Sequence, residues 1–116
     1  MKPPKIESYC FGEIVISGEY HRVDILIFPD RIRGQWWRKE GHRLAPEDLE
    51  EVLLAPPEVL VIGQGSSGCI SVPAETLKRL QDVGIKVVAQ RTYEACDTYN
   101  RLSEKQKVVA SLHLTC

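Results

Sequence analysis

The sequence predicts an α/β fold in which an antiparallel N-terminal β region is joined to a parallel βαβαβ half. Up to residue 45, short stretches with strand-like alternation are separated by tight turns; from residue 46 onward, helical spacing alternates with continuous apolar runs. Strands joined by tight turns pair antiparallel, whereas strands joined through helices pair parallel with right-handed crossovers. A chain of 116 residues has room for one domain, and we assign residues 1–116 to it.

Short strand patterns occupy the N-terminal part. Residues 14–20 alternate apolar and polar side chains around a Ser-Gly turn, which predicts two short strands. Residues 23–28 are rich in β-branched side chains and end at a Pro-Asp turn, which predicts another strand. A weaker strand over residues 32–36 is expected to follow it.

The C-terminal part follows a helix–strand repeat. Pro46 suits the first turn of a helix, and the acidic Glu47 and Asp48 favour a helix N-terminus. The run at 59–62 is apolar throughout, which is typical of a strand buried on both faces. We therefore expect, in order, a helix from Pro46 that stops at Pro56, a strand at 59–62, a helix from about Pro73 to Gly84, a strand at 85–89, a helix capped by Thr92 and a strand at 107–114.

The composition argues against several classes of function. The formal net charge is −1, which is unlike a dedicated nucleic-acid-binding protein or a binder of anionic membranes. No run approaches the roughly 18 apolar residues that cross a bilayer. Residues 1–5 lack the apolar segment of a signal peptide, so we expect a cytoplasmic protein. The four cysteines form no C-x-x-C pair, so we expect free thiols, no metal site and no cofactor.

The glycine-rich segment Gly63-Gln64-Gly65-Ser66-Ser67-Gly68 follows the apolar run. It matches G-x-G-x-x-G, but the next helix is expected to begin late, and the following strand ends in Gln90-Arg91, without the carboxylate that binds a ribose. Cys69-Ile70 replace the Lys and Ser/Thr of a P-loop, and the final glycine of a G-x-S-x-G nucleophile motif is missing. Two main interpretations remain, with nucleotide chemistry the least favoured. The segment is either a connection shaped by tight backbone geometry or a pocket for a small anion or polar ligand that includes Arg91.

A second candidate surface lies around two adjacent tryptophans. Trp36, Trp37, Arg38 and His42 combine the aromatic and arginine side chains that are enriched at protein interfaces. They predict a surface that binds a protein partner, because the overall charge disfavours nucleic acid as the ligand. The alternative is a solvated edge on which one tryptophan anchors the core.

Single polar residues indicate local roles. Asp24 interrupts an apolar strand and is either exposed on an edge or paired when buried. His113 is expected to pack or to make a satisfied hydrogen bond, and Cys96 to be a buried small residue. A redox-sensing role would depend on the exposure of Cys69 and Cys116.

These segments together resemble the Mth-like domain family of unknown function, which includes the adipogenesis-associated Mth-like protein and, more distantly, a mitochondrial complex I assembly factor. The resemblance runs nearly end to end and is carried by residues 6–12, Tyr20 with Asp24 and Pro29, Trp37-Arg38 with Gly41-His42, residues 59–65, Gly84-Ile85, Thr92 with Ala95, Tyr99-Asn100 and the terminal His113-Leu114-Thr115-Cys116. It implies a three-layer Mth-like fold with a mixed central sheet, and it implies no established reaction and no agreed catalytic residues.

Two hypotheses about function follow from the sequence. The failed catalytic motifs and the Trp-Arg surface favour a non-catalytic binding or assembly module, and the resemblance is consistent with this because family members are associated with assembly or regulatory roles. The alternative is a small-molecule enzyme or anion-binding protein that uses the glycine-rich segment with Arg91.

Overall fold

The computed structural model of the protein describes residues 2–116. Among these residues there are eight strands and three α-helices. The strands are β1 (Ile6–Cys10), β2 (Glu13–Ile16), β3 (Glu19–His21), β4 (Ile25–Phe28), β5 (Arg31–Arg33), β6 (Val59–Gly63), β7 (Lys86–Gln90) and β8 (Val108–Leu112). The helices are α1 (Glu50–Leu54), α2 (Ala74–Asp82) and α3 (Thr92–Leu102), and a 3-10 turn over Pro46–Leu49 leads directly into α1.

The strands form two sheets. β1, β2 and β3 make an antiparallel three-stranded sheet, and the other five strands make a mixed sheet in the order β5-β4-β8-β6-β7. In the mixed sheet β6 pairs in parallel with β7 and β8, while β4 pairs antiparallel with β5 and β8. The predicted α/β class, with an antiparallel N-terminal region, a parallel βαβαβ half and a mixed central sheet, is confirmed.

The strand order explains why α2 and α3 lie on opposite faces of the mixed sheet. The crossover through α2 runs outward from β6 to β7, whereas the crossover through α3 runs back from β7 past β6 to β8. Right-handed crossovers in opposite directions place their helices on opposite faces. No helix among residues 2–116 is long and apolar enough to cross a membrane.

Two hydrophobic cores result, one on each face of the mixed sheet. Successive side chains of a strand point to opposite faces, so Val61 of β6 joins one core with Tyr99 of α3, and Leu60 joins the other with Leu80 of α2. The three-stranded sheet closes the first core through residues that include Ile14. Since both faces of β6 are covered, its five residues are all buried, as the continuous apolar run predicts.

The N-terminal strands depart from the prediction in two places. The structure has an additional strand, β1, which pairs with β2 and contains a register shift between Ile6 and Ser8. β4 begins at Ile25 rather than at residue 23, because Asp24 turns its side chain into a polar cluster instead of continuing the strand. β5 ends at Arg33, before the expected limit at residue 36, and the chain then folds inward at Trp36.

The C-terminal elements follow the predicted order with shifted ends. Thr92 is the first residue of α3 and not its cap, because its hydroxyl accepts from the Gly65 N–H and donates to the His113 carbonyl. β8 ends at Leu112, since residues 113–116 leave the sheet. The helix that begins at Pro46 opens as a 3-10 turn, whereas α2 ends as predicted, with Gly84 at φ = +84° and its N–H bonded to the Gln81 carbonyl.

The edge of β1 is held by one side chain of α3. The Asn100 amide accepts from the Ile6 N–H at 3.0 Å and donates to the Ile6 carbonyl at 2.8 Å, so it pairs with β1 as a neighbouring strand would. Asn100→Ala leaves both backbone groups of Ile6 without these partners. We expect the free energy of unfolding to fall by about 2 kcal/mol, measured by urea denaturation. Arg101→Ala, at an exposed position of the same helix, is the control, and an equal loss in both variants would contradict this role.

Candidate functional site

A cluster of buried polar side chains is built on the carboxylate of Asp24. The Asp24 cluster consists of Asp24, Arg38 and His113. The Asp24 carboxylate accepts from the Arg38 guanidinium at 2.7 Å, from His113 Nδ1 at 2.7 Å and from the backbone N–H of Leu114 at 2.9 Å. The side chains of Arg38, His113 and Asp24 are only 6%, 9% and 15% exposed, so the ion pair is largely removed from water.

The sheet topology brings Asp24 and His113 together. β4 and β8 are antiparallel neighbours, and Ile25 pairs with Leu112. The residue that precedes β4 and the residue that follows β8 therefore lie at the same edge of the sheet, although they are 89 positions apart in the chain. Arg38 arrives from the loop after β5, and its guanidinium donates twice to the Gly41 carbonyl, at 3.2 and 2.9 Å.

The electrostatics of the cluster keep Asp24 ionised. Burial raises the pKa of Asp24, but the hydrogen bonds from His113, the Leu114 N–H and Arg38 outweigh it and hold that pKa below its usual value. An ionised carboxylate can only accept, so its short contact with His113 places a proton on Nδ1. The opposite nitrogen, Nε2, lies 3.4 Å from the Thr115 hydroxyl.

The two tryptophans have different roles. Trp36 is 6% exposed, donates from its indole nitrogen to the Asp48 carbonyl at 3.0 Å and carries the Arg38 guanidinium 5.0 Å above its ring. Trp37 is 75% exposed. The predicted surface is thus divided: Trp36 and Arg38 anchor the loop from beneath, whereas Trp37 and His42 remain at the surface.

Trp37 separates two depressions. The Asp24 cleft, about 360 Å³ in volume, lies on one side and is lined by residues that include Asp24, Arg38, His113 and Thr115. His42 borders the same region, because its ring makes an edge contact with the His113 ring at 5.9 Å between centroids.

The second depression is a groove of about 360 Å³ between Trp37 and Leu54, which we call the Trp37–Leu54 groove. Leu54 is 79% exposed at the end of α1. Four carboxylates and one guanidinium group line the groove: Glu47, Asp48, Glu50, Glu51 and Arg33. Beyond Leu54 an adjoining cavity of about 750 Å³ continues to Val83 of the segment after α2.

The glycine-rich segment is bonded mainly to its own chain. The N–H of Gln64 donates to the Gln90 carbonyl, that of Gly65 to the Thr92 hydroxyl and that of Ser66 to the Thr115 carbonyl, all within 2.7–2.9 Å. The N–H groups of Gly68 and Cys69 donate to the carbonyls of Gly65 and Cys116, and the Gln64 side chain donates to the Ile70 carbonyl. These amides are therefore already paired without any ligand.

Gly65 explains why the segment needs glycine. Its φ is +100°, and a Cβ at this position would lie 2.5 Å from the carbonyl carbon and oxygen of Cys116 and 2.8 Å from His113 Cδ2. The backbone of Cys116 and the ring of His113 thus pack directly on Gly65. The carboxyl ends of β6 and β8 form the crevice where ligands usually bind in open α/β sheets, and here that crevice contains the protein's own residues 113–116.

The remaining predicted ligand-binding residues lie next to this segment. The Arg91 side chain is adjacent to Gly68, since a Cβ on Gly68 would lie 3.8 Å from Arg91 Cγ. Ser67 and Arg91 are exposed and Ser66 is half-buried. Their assignment to a ligand site stays a prediction. Among residues 2–116 no group of three or more His, Cys, Asp or Glu side chains is placed to hold a metal ion.

Sequence reasoning missed part of this arrangement. It singled out Asp24 and His113 separately, and the pairing of β4 with β8 is what joins them. It did not single out Leu54, because the apolar face of a short helix normally points into the core. The available signal was the position of Leu54 directly before Ala55-Pro56-Pro57, where the helix ends and an apolar side chain can be left outside.

The comparisons with known proteins agree with the fold. The family described as "Protein of unknown function (DUF498/DUF598)" matches residues 6–113. A conserved hypothetical protein from Pyrococcus horikoshii OT3 is 32% identical with a TM-score of 0.82, over 97% of this chain and 99% of that chain. A protein described as an outer membrane protein from Bartonella henselae is 28% identical, with a TM-score of 0.83. The match covers 99% of this chain and 98% of that chain. A Bordetella pertussis protein described as a Mth938-like domain is 22% identical, with a TM-score of 0.72. The match covers 96% of this chain and 85% of that chain.

The stability of the fold depends on pH through the carboxylate of Asp24. Asp24 has a lowered pKa in the folded protein, so its carboxylate stabilises the fold above the unfolded-state pKa of about 4, and this contribution is lost as the pH falls through the lower folded-state pKa. Asp24→Asn leaves the buried Arg38 without its ion pair. We expect the free energy of unfolding near neutral pH to fall by about 3 kcal/mol, and the difference from wild type to shrink below about pH 4.

Urea unfolding over a pH series measures both effects. Asp30→Asn is the control, because Asp30 is exposed and its one ion pair within residues 2–116 is with the exposed Arg31, and surface pairs contribute little. A difference between Asp24→Asn and wild type that does not change with pH would contradict the assignment.

The backbone of Cys116 lies so close to Gly65 that a side chain at this position has no room. Gly65→Ala introduces both an unfavourable φ and contacts of 2.5 Å with Cys116. Gly84→Ala is a matched control, since its φ is +84° and nothing lies within 4 Å of the added Cβ. We expect Gly84→Ala to cost about 1 kcal/mol and Gly65→Ala to cost about 2 kcal/mol more, measured by urea denaturation. Equal losses of unfolding free energy in the two variants would contradict this prediction, because they would show that residues 113–116 move away from the added Cβ without loss of stability.

Proposed function

This chain belongs to the DUF498/DUF598 family of proteins of unknown function, and we propose that it is a binding module that holds a basic, apolar segment of a partner protein in the Trp37–Leu54 groove. The observation that carries the proposal is the exposure of Trp37 and Leu54, which line one groove together with four carboxylates.

Apolar exposure supports a protein partner. Trp37 and Leu54 are the two most exposed of the large hydrophobic side chains among residues 2–116, at 75% and 79%. Burying a large apolar side chain releases about 1.5–3 kcal/mol, and tryptophan is the residue type most often found to dominate an interface. An indole and an isobutyl group that line one groove can both contact the apolar side chains of one bound segment.

The charge of the groove supports a basic partner. Arg33, its one guanidinium group, is already bonded to Glu51 at 2.8 Å. The Asp48 carboxylate accepts from two backbone N–H groups, those of Lys39 and Ala45, and Glu50 has no ion pair within residues 2–116. A segment with lysine or arginine beside its apolar residues would therefore meet uncompensated negative charge.

Preorganisation supports binding without a large conformational change. The loop that presents Trp37 is fixed on both sides, by the indole of Trp36 at Asp48 and by the guanidinium of Arg38 at Asp24. A side chain held by rigid neighbours loses less entropy on binding than one on a mobile loop.

The alternative function, a small-molecule enzyme or anion-binding protein at the glycine-rich segment, has one supporting observation. Arg91 lies beside Gly68 with exposed Ser67 nearby. Against it, the amides that would cradle an anion already donate to Gln90, Thr92 and residues 115–116. For this reason we favour the groove.

The proposal is tested with two synthetic amphipathic peptides that share the same leucine and phenylalanine residues and differ only in carrying lysine or glutamate on the polar face. We expect the lysine peptide to bind and its affinity to fall as salt is added, because the groove is acidic. Trp37→Ala should weaken it by about 2 kcal/mol, roughly 30-fold in Kd, measured by fluorescence anisotropy.

Two further variants distinguish binding in the groove from nonspecific binding of the peptides elsewhere on the surface. Glu50→Gln should weaken the binding of the lysine peptide and should not weaken that of the glutamate peptide, because it removes a carboxylate that attracts lysine and repels glutamate. Tyr20→Ala removes an aromatic side chain that is 64% exposed on the three-stranded sheet, outside the groove, and should bind as wild type does. Equal affinity for both peptides, or an unchanged affinity of Trp37→Ala, would overturn the proposal.

A further inference from the structure

Residues 113–116 lie on the glycine-rich segment, and two exposed cysteines lie where they meet. Cys69 follows Gly68, and Cys116 follows Thr115; both thiols are free and exposed. Neither cysteine belongs to the Trp37–Leu54 groove, so an inference about them does not rest on the proposed binding function.

The backbones of the two cysteines are in direct contact. The N–H of Cys69 donates to the Cys116 carbonyl at 3.0 Å. Adding roughly 1.5 Å from N to Cα and roughly 2.4 Å from the carbonyl oxygen to its own Cα gives at most about 6.9 Å between the two Cα atoms, and less when the three parts are not in line. Disulfides usually join Cα atoms 4.4–6.8 Å apart.

We propose that Cys69 and Cys116 form an intramolecular disulfide when the protein meets a low-molecular-weight disulfide such as oxidised glutathione. The bond is a modification site that joins the end of the glycine-rich segment to residues 113–116. The two residues are 47 positions apart in the chain, and the existing hydrogen bonds of Ser66 and Cys69 to this segment already hold them in contact.

The chemistry balances without any further reactant. One cysteine thiolate attacks oxidised glutathione, forms a mixed disulfide and releases one glutathione thiolate. The second cysteine thiolate attacks the protein sulfur of that mixed disulfide and releases the second glutathione thiolate. Two protein thiols lose two electrons to one glutathione disulfide, and their two protons go to the two glutathione thiols formed.

The other two cysteines are natural comparisons. Cys96 is buried in the first core, and burial raises the pKa of its thiol to about 12, so it supplies almost no thiolate. Cys10 is exposed at the end of β1. Its backbone pairs with Glu13 of the neighbouring strand rather than with another cysteine.

The bond would restrain residues 113–116, and with them the His113 and Leu114 contacts to Asp24. Closing a loop of this length removes conformational entropy from the unfolded chain. We expect the oxidised protein to melt roughly 10 °C higher than the reduced protein.

The folded protein is incubated in glutathione redox buffers, and the remaining thiols are blocked with an alkylating agent. The protein is then digested with trypsin without reduction. Each cysteine lies in its own tryptic peptide: 6–22 for Cys10, 44–78 for Cys69, 92–101 for Cys96 and 108–116 for Cys116. We expect a linked species of peptides 44–78 and 108–116 from monomeric protein, with loss of two alkylatable thiols and the rise in melting temperature.

Three variants decide the assignment. Cys69→Ser and Cys116→Ser should each abolish the linked species and the rise in melting temperature, whereas Cys10→Ser should keep both. Circular dichroism of the reduced variants confirms that they are folded. Mixed disulfides with glutathione at Cys69 and Cys116 at every buffer ratio, a link that includes peptide 6–22, or linked dimers in place of the internal bond would overturn the proposal.

Discussion

The carboxylate of Asp24 is the point on which three separate parts of the chain depend. It joins the start of β4, the loop that carries Trp36 and Arg38, and the segment after β8. Removing a guanidinium and a carboxylate from water is costly, and a buried pair repays that cost only when the remaining donors and acceptors are satisfied. Here the Arg38 guanidinium also donates to Gly41, and the Leu114 N–H completes the coordination of the carboxylate.

The same interaction determines which side chains remain available at the surface. Arg38 pairs with Asp24 and lies over the ring of Trp36, whereas Trp37, which lies between Trp36 and Arg38 in the chain, is exposed. The Trp37–Leu54 groove then forms between this loop and the end of α1. The ion pair thus fixes the loop that carries Trp37, although Asp24 and Arg38 do not line the groove itself.

The crevice at the carboxyl ends of β6 and β8 has the glycine spacing of a nucleotide-binding motif but is filled by the protein's own chain. Glycine is needed at Gly65 because its φ is +100° and Cys116 lies against its Cα. In nucleotide-binding proteins the same property admits a phosphate. Here it admits a segment of the same chain, whose carbonyls at Thr115 and Cys116 accept from the segment's amides. The glycine spacing indicates that another group packs closely against this backbone. It does not indicate whether that group is a ligand or a segment of the same chain.

The sequence by itself determined the α/β class, the order of the elements from Pro46 onward and the burial of β6 on both faces, because each follows from side-chain periodicity and from local turn and helix signals. It also marked Asp24 as paired if buried, and Trp37 as a candidate contact. Tertiary structure alone decided that β4 is adjacent to β8, which brings Asp24 to His113 and residues 113–116 to the glycine-rich segment. Contacts between residues so far apart depend on which strands become neighbours, and no local pattern of side chains encodes that choice.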